Sequence, residues 1–306
     1  MYFFRFLVNV LSLVLDFFNS IRSVVFSGRR SETFVYAKRG IFRKRLTLYL
    51  PDGASKEKPC PLIVYLHGGG WIVGHRMMLQ PAVLKQLERG YAVATVSYTF
   101  THLAQWPTQA HEAKAAIRWL RGNAERFHLD SDCFIMWGLS AGGHISSNVG
   151  ASSGTEHLEG ALGEYLDVSS AVHGVIAWYP PTDLSQMGNH GFFATLTNIA
   201  SSALIGGWLR KNPDKTQLAN PAHYIHGGTP PFYLLHGSKD TIVNQDQSVV
   251  LYNALQKAGV ASTYIPLDGF YHGDVRFNKS EYVAGMEAFL DGVVAGNIGF
   301  LSKKVR

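Results

Sequence analysis

Cysteine is almost missing from this 306-residue chain, which holds only Cys60 and Cys133. Two thiols make neither a disulfide framework nor a thiolate metal cluster, so stability must come from a core. Both are expected as small buried residues at strand entrances, with a bridge between them as the alternative. Charge is also sparse, at 16% of residues, and acid is the scarcer sign: 22 Asp and Glu against 28 Lys and Arg, a net +6. A basic surplus raises nucleic acid or anionic lipid as partners. Much of it lies in one stretch, at Arg22, Arg29, Arg30, Lys38, Arg39, Arg43, Lys44 and Arg45. No aromatic-interleaved basic repeat or zinc-finger spacing accompanies it, so it reads as solvated strand and linker surface, and no nucleic-acid partner is expected. Internal repeats, low-complexity tracts and the G-x-x-x-x-G-K-[ST] phosphate loop are absent as well.

What is present is 46% hydrophobic residues and 31 glycines, enough for one sizeable globular domain. Residues 1–30 stand apart. From Tyr2 to Phe26 the chain is rich in Phe, Leu and Val, with Arg5, Asn9, Ser12, Asp16 and Ser23 at helical spacing. That pattern predicts an amphipathic helix that either packs on the pocket or lies in a membrane interface. A signal anchor is the second reading, disfavoured by Asp16, and a cleaved signal peptide the third, since no A-x-A-like cleavage site follows. The compartment, cytoplasmic or membrane-associated, stays open.

Residues 31–306 read as alternating strands and helices. Strands are predicted at 33–38, 42–50, 61–66, 92–98, 133–137, 172–179, 232–236 and 263–267, and helices around 82–89, 112–127, 249–258 and 281–294. Runs such as Pro61–Leu66 are apolar without alternation, as in strands buried on both faces. The order implies an α/β fold, a mostly parallel sheet with helices on both faces. About 184–226 lacks a strand pattern and is expected to be a small helical cap over the C-terminal sheet edge, where such folds bind ligands.

Three strand-end motifs carry chemistry. Gly138-Leu139-Ser140-Ala141-Gly142 follows the strand 133–137. Glycines on both sides allow a sharp strand-to-helix turn that exposes the Ser140 hydroxyl above a helix N-terminus. His67-Gly68-Gly69-Gly70-Trp71 ends another buried strand, where successive glycines leave backbone N–H groups free to hold a developing oxyanion. A serine nucleophile needs a base, itself oriented by a carboxylate, and in this arrangement they follow in the order Ser, Asp, His. Asp240 in His236-Gly237-Ser238-Lys239-Asp240 and His272 in Tyr271-His272-Gly273 both fall just beyond strand ends. Asp246 is expected to enter the next helix, Asp268 and Asp274 to cap loops, and His236 to sit at a turn. Aromatics expected near the mouth are Trp71, Trp178, Tyr179, Phe192, Phe193, Trp208 and Tyr271, with Trp71, Trp178, Phe192, Trp208 and Tyr271 as the substrate-binding candidates.

With HGGGW at 67–71, AAIRWLRGNAERF at 115–127, GLSAGGH at 138–144, HGSKD at 236–240 and YHG at 271–273, the chain resembles the α/β-hydrolase carboxylesterases, in their feruloyl-esterase-like and hormone-sensitive-lipase-like branch. The resemblance runs from about Leu46 to Leu290. It implies Ser140, Asp240 and His272 as the triad and Gly69, Gly70 and Ala141 as oxyanion donors. It also implies a small-molecule ester substrate and no metal or cofactor. Amide hydrolysis of the arylformamidase type and lipid-ester hydrolysis at a membrane are the rival expectations. Leu139 replaces the acidic residue usual before the nucleophile in hormone-sensitive-lipase-like members, favouring the feruloyl-esterase-like side. Thr99 and Glu112 stand where many relatives carry Arg and Asp, so a structural ion pair is expected to be lost.

Overall fold

The structure, a computed structural model, describes residues 31–187 and 194–297. The segment 1–30, Phe192 and Phe193 lie outside the described residues. Eight strands form one sheet: β1 (Ser31–Arg39), β2 (Phe42–Tyr49), β3 (Cys60–Leu66), β4 (Ala92–Val96), β5 (Leu129–Leu139), β6 (Gly174–Trp178), β7 (Phe232–Gly237) and β8 (Ser262–Leu267). Their order is β1-β2-β4-β3-β5-β6-β7-β8. β1, β2 and β4 pair antiparallel, and β4 through β8 run parallel.

The apolar runs explain the sheet's position. In β3, Leu62, Val64 and Leu66 enter one hydrophobic layer while Ile63 and Tyr65 enter the other. Every second residue faces each side, so a strand that is apolar throughout is stable only with helices on both faces. The longer helices are α1 (Thr108–Gly122), α2 (Ala141–Ala151), α3 (Ala194–Ile205), α4 (Asp246–Lys257) and α5 (Ser280–Val294).

Two predicted helices come out differently. The helix expected at 82–89 is a single turn, Pro81–Leu84, followed by 3-10 turns over Lys85–Arg89 that end at left-handed Gly90. The helix expected at 112–127 begins earlier, at Thr108, and is interrupted at Asn123, whose side-chain amide donates back to Trp119 O at 2.8 Å. Between β6 and β7 the described residues hold α3 and short helical turns.

The expected loss of an ion pair is corrected by the structure. Glu112 is buried and its Oε1 lies 3.1 Å from Lys44 Nζ, while Thr99 donates its N–H and hydroxyl to the same carboxylate at 2.5 Å. The cation comes from β2 instead of from the position after Tyr98. Residue spacing carried no hint of it, because the partner lies across the sheet edge. Cys60 and Cys133 are buried free thiols, pushed up to about 11 and about 12, chiefly by burial.

Candidate active site

The glycines around Ser140 are required by close approach. A Cβ on Gly138 would stand 2.2 Å from Gly142 O, and one on Gly142 would stand 2.2 Å from Leu66 O. Without side chains there, β5 passes straight into α2. Ser140 at the joint adopts φ 51°, ψ −119°, and its N–H donates to Trp178 O at 2.9 Å. Trp71 (φ 59°) and Tyr179 (φ 39°) share this unfavourable positive-φ backbone. Strain in bulky residues persists only where surroundings over-determine it, and three of the five such residues among those described stand here, His128 and Tyr165 lying elsewhere.

Three strand-end loops meet above this turn. Ser140 Oγ donates to His272 Nε2 at 2.9 Å, and His272 Nδ1 donates to Asp240 Oδ2 at 2.6 Å. Asp240 is buried, and its other oxygen accepts the N–H groups of Ile242 and Val243, both at 2.9 Å. A fourth donor was not anticipated from the sequence. His236, fully buried at the end of β7 and not in a turn, places Nε2 3.2 Å from Asp240 Oδ2 and 2.8 Å from Val243 O. Because Val243 O can only accept, Nε2 of His236 carries the proton, and Nδ1 takes the Ser248 hydroxyl at 2.7 Å. Burial alone would raise the Asp240 carboxyl. The charge of His272 and the bonds from both histidines outweigh it and hold Asp240 well below the usual carboxylate range. The i,i+4 spacing of His236 and Asp240 after a buried strand was the available signal.

The glycine loop is held from beneath. His67 is buried, kept neutral by burial with its pKa down to about 4, stacked on Tyr98 at 4.6 Å and bonded through Nδ1 to Gly68 O at 2.6 Å. Gly69 takes φ 122°, with its carbonyl accepting from Ile72 and Val73 at 3.1 Å. Among the described residues, no acceptor takes the N–H groups of Gly69, Gly70 or Ala141. His144, one turn into α2, is also neutral, lowered to about 4 by burial, and donates Nε2–H to Ala219 O at 2.6 Å, tying the turn to the segment between β6 and β7.

A cavity of about 330 Å³ opens on Ser140 and His272. Gly69, Gly70, Ala141 and Trp71 line it, with Tyr179, Met187 and Leu139 among the apolar walls, and among the described residues no Lys, Arg, Asp or Glu does. Three of the aromatics expected to bind substrate fall elsewhere. Trp178 is core: its ring packs on Trp137 and Phe277 and its indole N–H points at Met286 Sδ. Of the adjacent pair, Tyr179 reaches the cavity and Trp178 does not: both pack in the same hydrophobic layer, but Tyr179 lies just past the end of β6, where its backbone turns to φ 39°. Trp208 is 65% exposed and lines a neighbouring groove with Ile72, His102 and Ile199. Tyr271 is half-buried outside the cavity lining, its N–H donating to Asp274 Oδ2 at 3.2 Å. Asp246 begins α4, Asp268 accepts from Ser238 Oγ, and Asp274 caps the turn at Val275–Asn278 and pairs with Arg276.

The sheet, its helices on both faces and the strand-to-helix turn at Ser140 define an α/β-hydrolase. The chain belongs to the BD-FAE family, whose model matches residues 46–255. It is 28% identical to "Esterase LipC" of Mycobacterium tuberculosis, over 71% of this chain and 53% of that protein. It is 25% identical to "Isoprenylcysteine alpha-carbonyl methylesterase ICME" of Arabidopsis thaliana, over 89% of this chain and 63% of that one. The chain thus spans about half to two-thirds of the length of these curated relatives. Among solved structures it resembles a truncated carbohydrate esterase from gut microbiota, with 27% identity, a TM-score of 0.78 and coverage of 87% and 96%. It also resembles propionate-bound esterase 2 of Thermogutta terrifontis, with 25% identity, a TM-score of 0.69 and coverage of 90% and 96%.

Proposed function

We propose that this chain hydrolyses carboxylic esters by two-step acyl transfer, with Ser140 as nucleophile, His272 as general base and Asp240 as the carboxylate that orients it. The observation that carries this reading is the unbroken relay from Ser140 Oγ through His272 to Asp240. His272 takes the hydroxyl proton as Ser140 attacks the carbonyl carbon. The N–H groups of Gly69, Gly70 and Ala141 face the oxygen that gains charge. His272 then gives its proton to the leaving alcohol, and water, activated by the same imidazole, releases the acid and restores Ser140. Asp240 holds the imidazole tautomer and offsets its charge while protonated.

The cavity supports a reading of the substrate class. With no side chain of Asp, Glu, Lys or Arg on its walls among the described residues, it favours a neutral ester whose buried group is apolar. The ester-hydrolysing relatives support ester over amide chemistry. The test is a panel of p-nitrophenyl esters from acetate to laurate beside a feruloyl ester, a charged succinyl ester and N-formylkynurenine. Neutral apolar esters are expected to be turned over fastest. Ser140→Ala is expected to lose about 10⁴-fold or more in kcat with its fold intact. A Ser140→Ala protein that keeps most of its esterase activity overturns the proposal.

A further inference from the structure

The basic stretch of the sequence ends in a hairpin that the catalytic reading leaves unexplained. β1 and β2 turn at Gly40 and Ile41, with Arg39 opposite Phe42 and Lys38 opposite Arg43. β2 pairs with β4 only from Leu46, opposite Val96, onward. Residues 42–44 therefore run past the end of β4, beyond the bond from Ser97 N–H to Arg45 O, a projection of roughly 10 Å at about 3.3 Å per residue. Because β4 is parallel to β3 and β5, the projection leaves the same sheet edge as Ser140 and the glycine loop.

Its tip has two properties that a solvated strand end does not need. Ile41 is 91% exposed and Phe42 52%, side by side at the extremity. Around them Lys38, Arg39, Arg43 and Arg45 are exposed, and among the described residues no carboxylate lies within ion-pair distance of them. Lys38 and Arg43 are cations directly opposite each other across the hairpin, an arrangement that costs stability. Toward the cavity, Val73 on its wall and Ile199 and Trp208 in the neighbouring groove are also exposed. Apolar side chains ringed by cations that have no carboxylate partner among the described residues complement a bilayer with anionic headgroups: the tip enters the acyl boundary and the cations meet phosphates. A nucleic acid would satisfy the cations and leave Ile41 in water.

We propose that the β1–β2 hairpin tip docks this protein on an anionic lipid surface, with Ile41 and Phe42 inserted and Lys38, Arg39 and Arg43 at the headgroups, so that the edge carrying the cavity faces the membrane. The proposal stands whether or not Ser140 is the nucleophile, because its readout is binding.

The test uses the full chain and sedimentation with two kinds of vesicle, phosphatidylcholine alone and the same lipid with about one-quarter phosphatidylserine. The wild type is expected to sediment with the anionic vesicles and to release as salt rises. Lys38→Gln/Arg43→Gln is expected to lower partitioning on the order of tenfold or more, at about 1 kcal/mol for each charge near the surface. Ile41→Ser/Phe42→Ser is expected to reduce it comparably, with hydrolysis of soluble p-nitrophenyl acetate unchanged in both variants. Since both native thiols are buried, an Ile41→Cys protein carries a polarity-sensitive dye at the tip alone, and its emission should shift blue on anionic vesicles. Three results overturn the proposal: no binding by the wild type, binding of both double variants equal to wild type, or displacement of the chain from vesicles onto single-stranded DNA with no dye shift.

Discussion

Lowering the pH from about 7 to about 5 should loosen the site from beneath, through two histidines that take no part in proton transfer. His67 and His144 are fully buried and held from their ordinary 6.5 down to about 4. Between those values the unfolded chain binds a proton at each position and the folded chain does not. Stability therefore falls as pH falls through this window and is regained as it rises. Each residue contributes about 2 kcal/mol to the difference between pH 7 and pH 5, from the proton-binding polynomials of the two states. His144→Gln isolates one of them. The amide can still donate to Ala219 O, where the imidazole bond is 2.6 Å, but has no titration. Urea unfolding followed by tryptophan fluorescence at both pH values is the assay. The variant should lose about 2 kcal/mol less than wild type on acidification. An acid-induced loss that the substitution leaves unchanged refutes the linkage.

Other outcomes follow from the same geometry. His236→Phe removes a buried donor from Asp240 Oδ2. At the ~1.5–3 kcal/mol of a hydrogen bond to a charged group, kcat should fall on the order of 10- to 100-fold with KM little changed. His236→Gln should recover part of the loss. Lys44→Met leaves the Glu112 carboxylate buried without its cation, an expected cost of about 3 kcal/mol in chemical unfolding. Lys44→Met/Glu112→Leu should cost less than Lys44→Met alone. A double variant less stable than the single one would show that the pair is not the reason the carboxylate is tolerated.

Much of this could be read from the chain because the informative residues act through the backbone. Gly138 and Gly142 are where they are because any Cβ would strike a neighbouring carbonyl, and that constraint leaves a local spelling. The apolar strands were legible for the same reason: burial on both faces removes the polar alternation. Partners chosen across the fold left no such trace. Lys44 reaches Glu112 from a strand 68 positions earlier in sequence, and His236 reaches Asp240 only because β7 buries its last turn of side chains. The choice between Trp178 and Tyr179 depended on where β6 ends, because the backbone of Tyr179, one residue past the strand, departs to positive φ. Aromatic composition alone could not separate a core indole from a cavity wall.

The central claim is that the Ser140 hydroxyl is activated by the imidazole of His272. Treating the intact protein with a fluorophosphonate and mapping the adduct by peptide mass spectrometry tests it most directly. A single adduct on Ser140 is predicted, formed far more slowly in His272→Ala and absent in Ser140→Ala. An unlabelled wild type, or a label on Ser146 or Ser147 in place of Ser140, would contradict it.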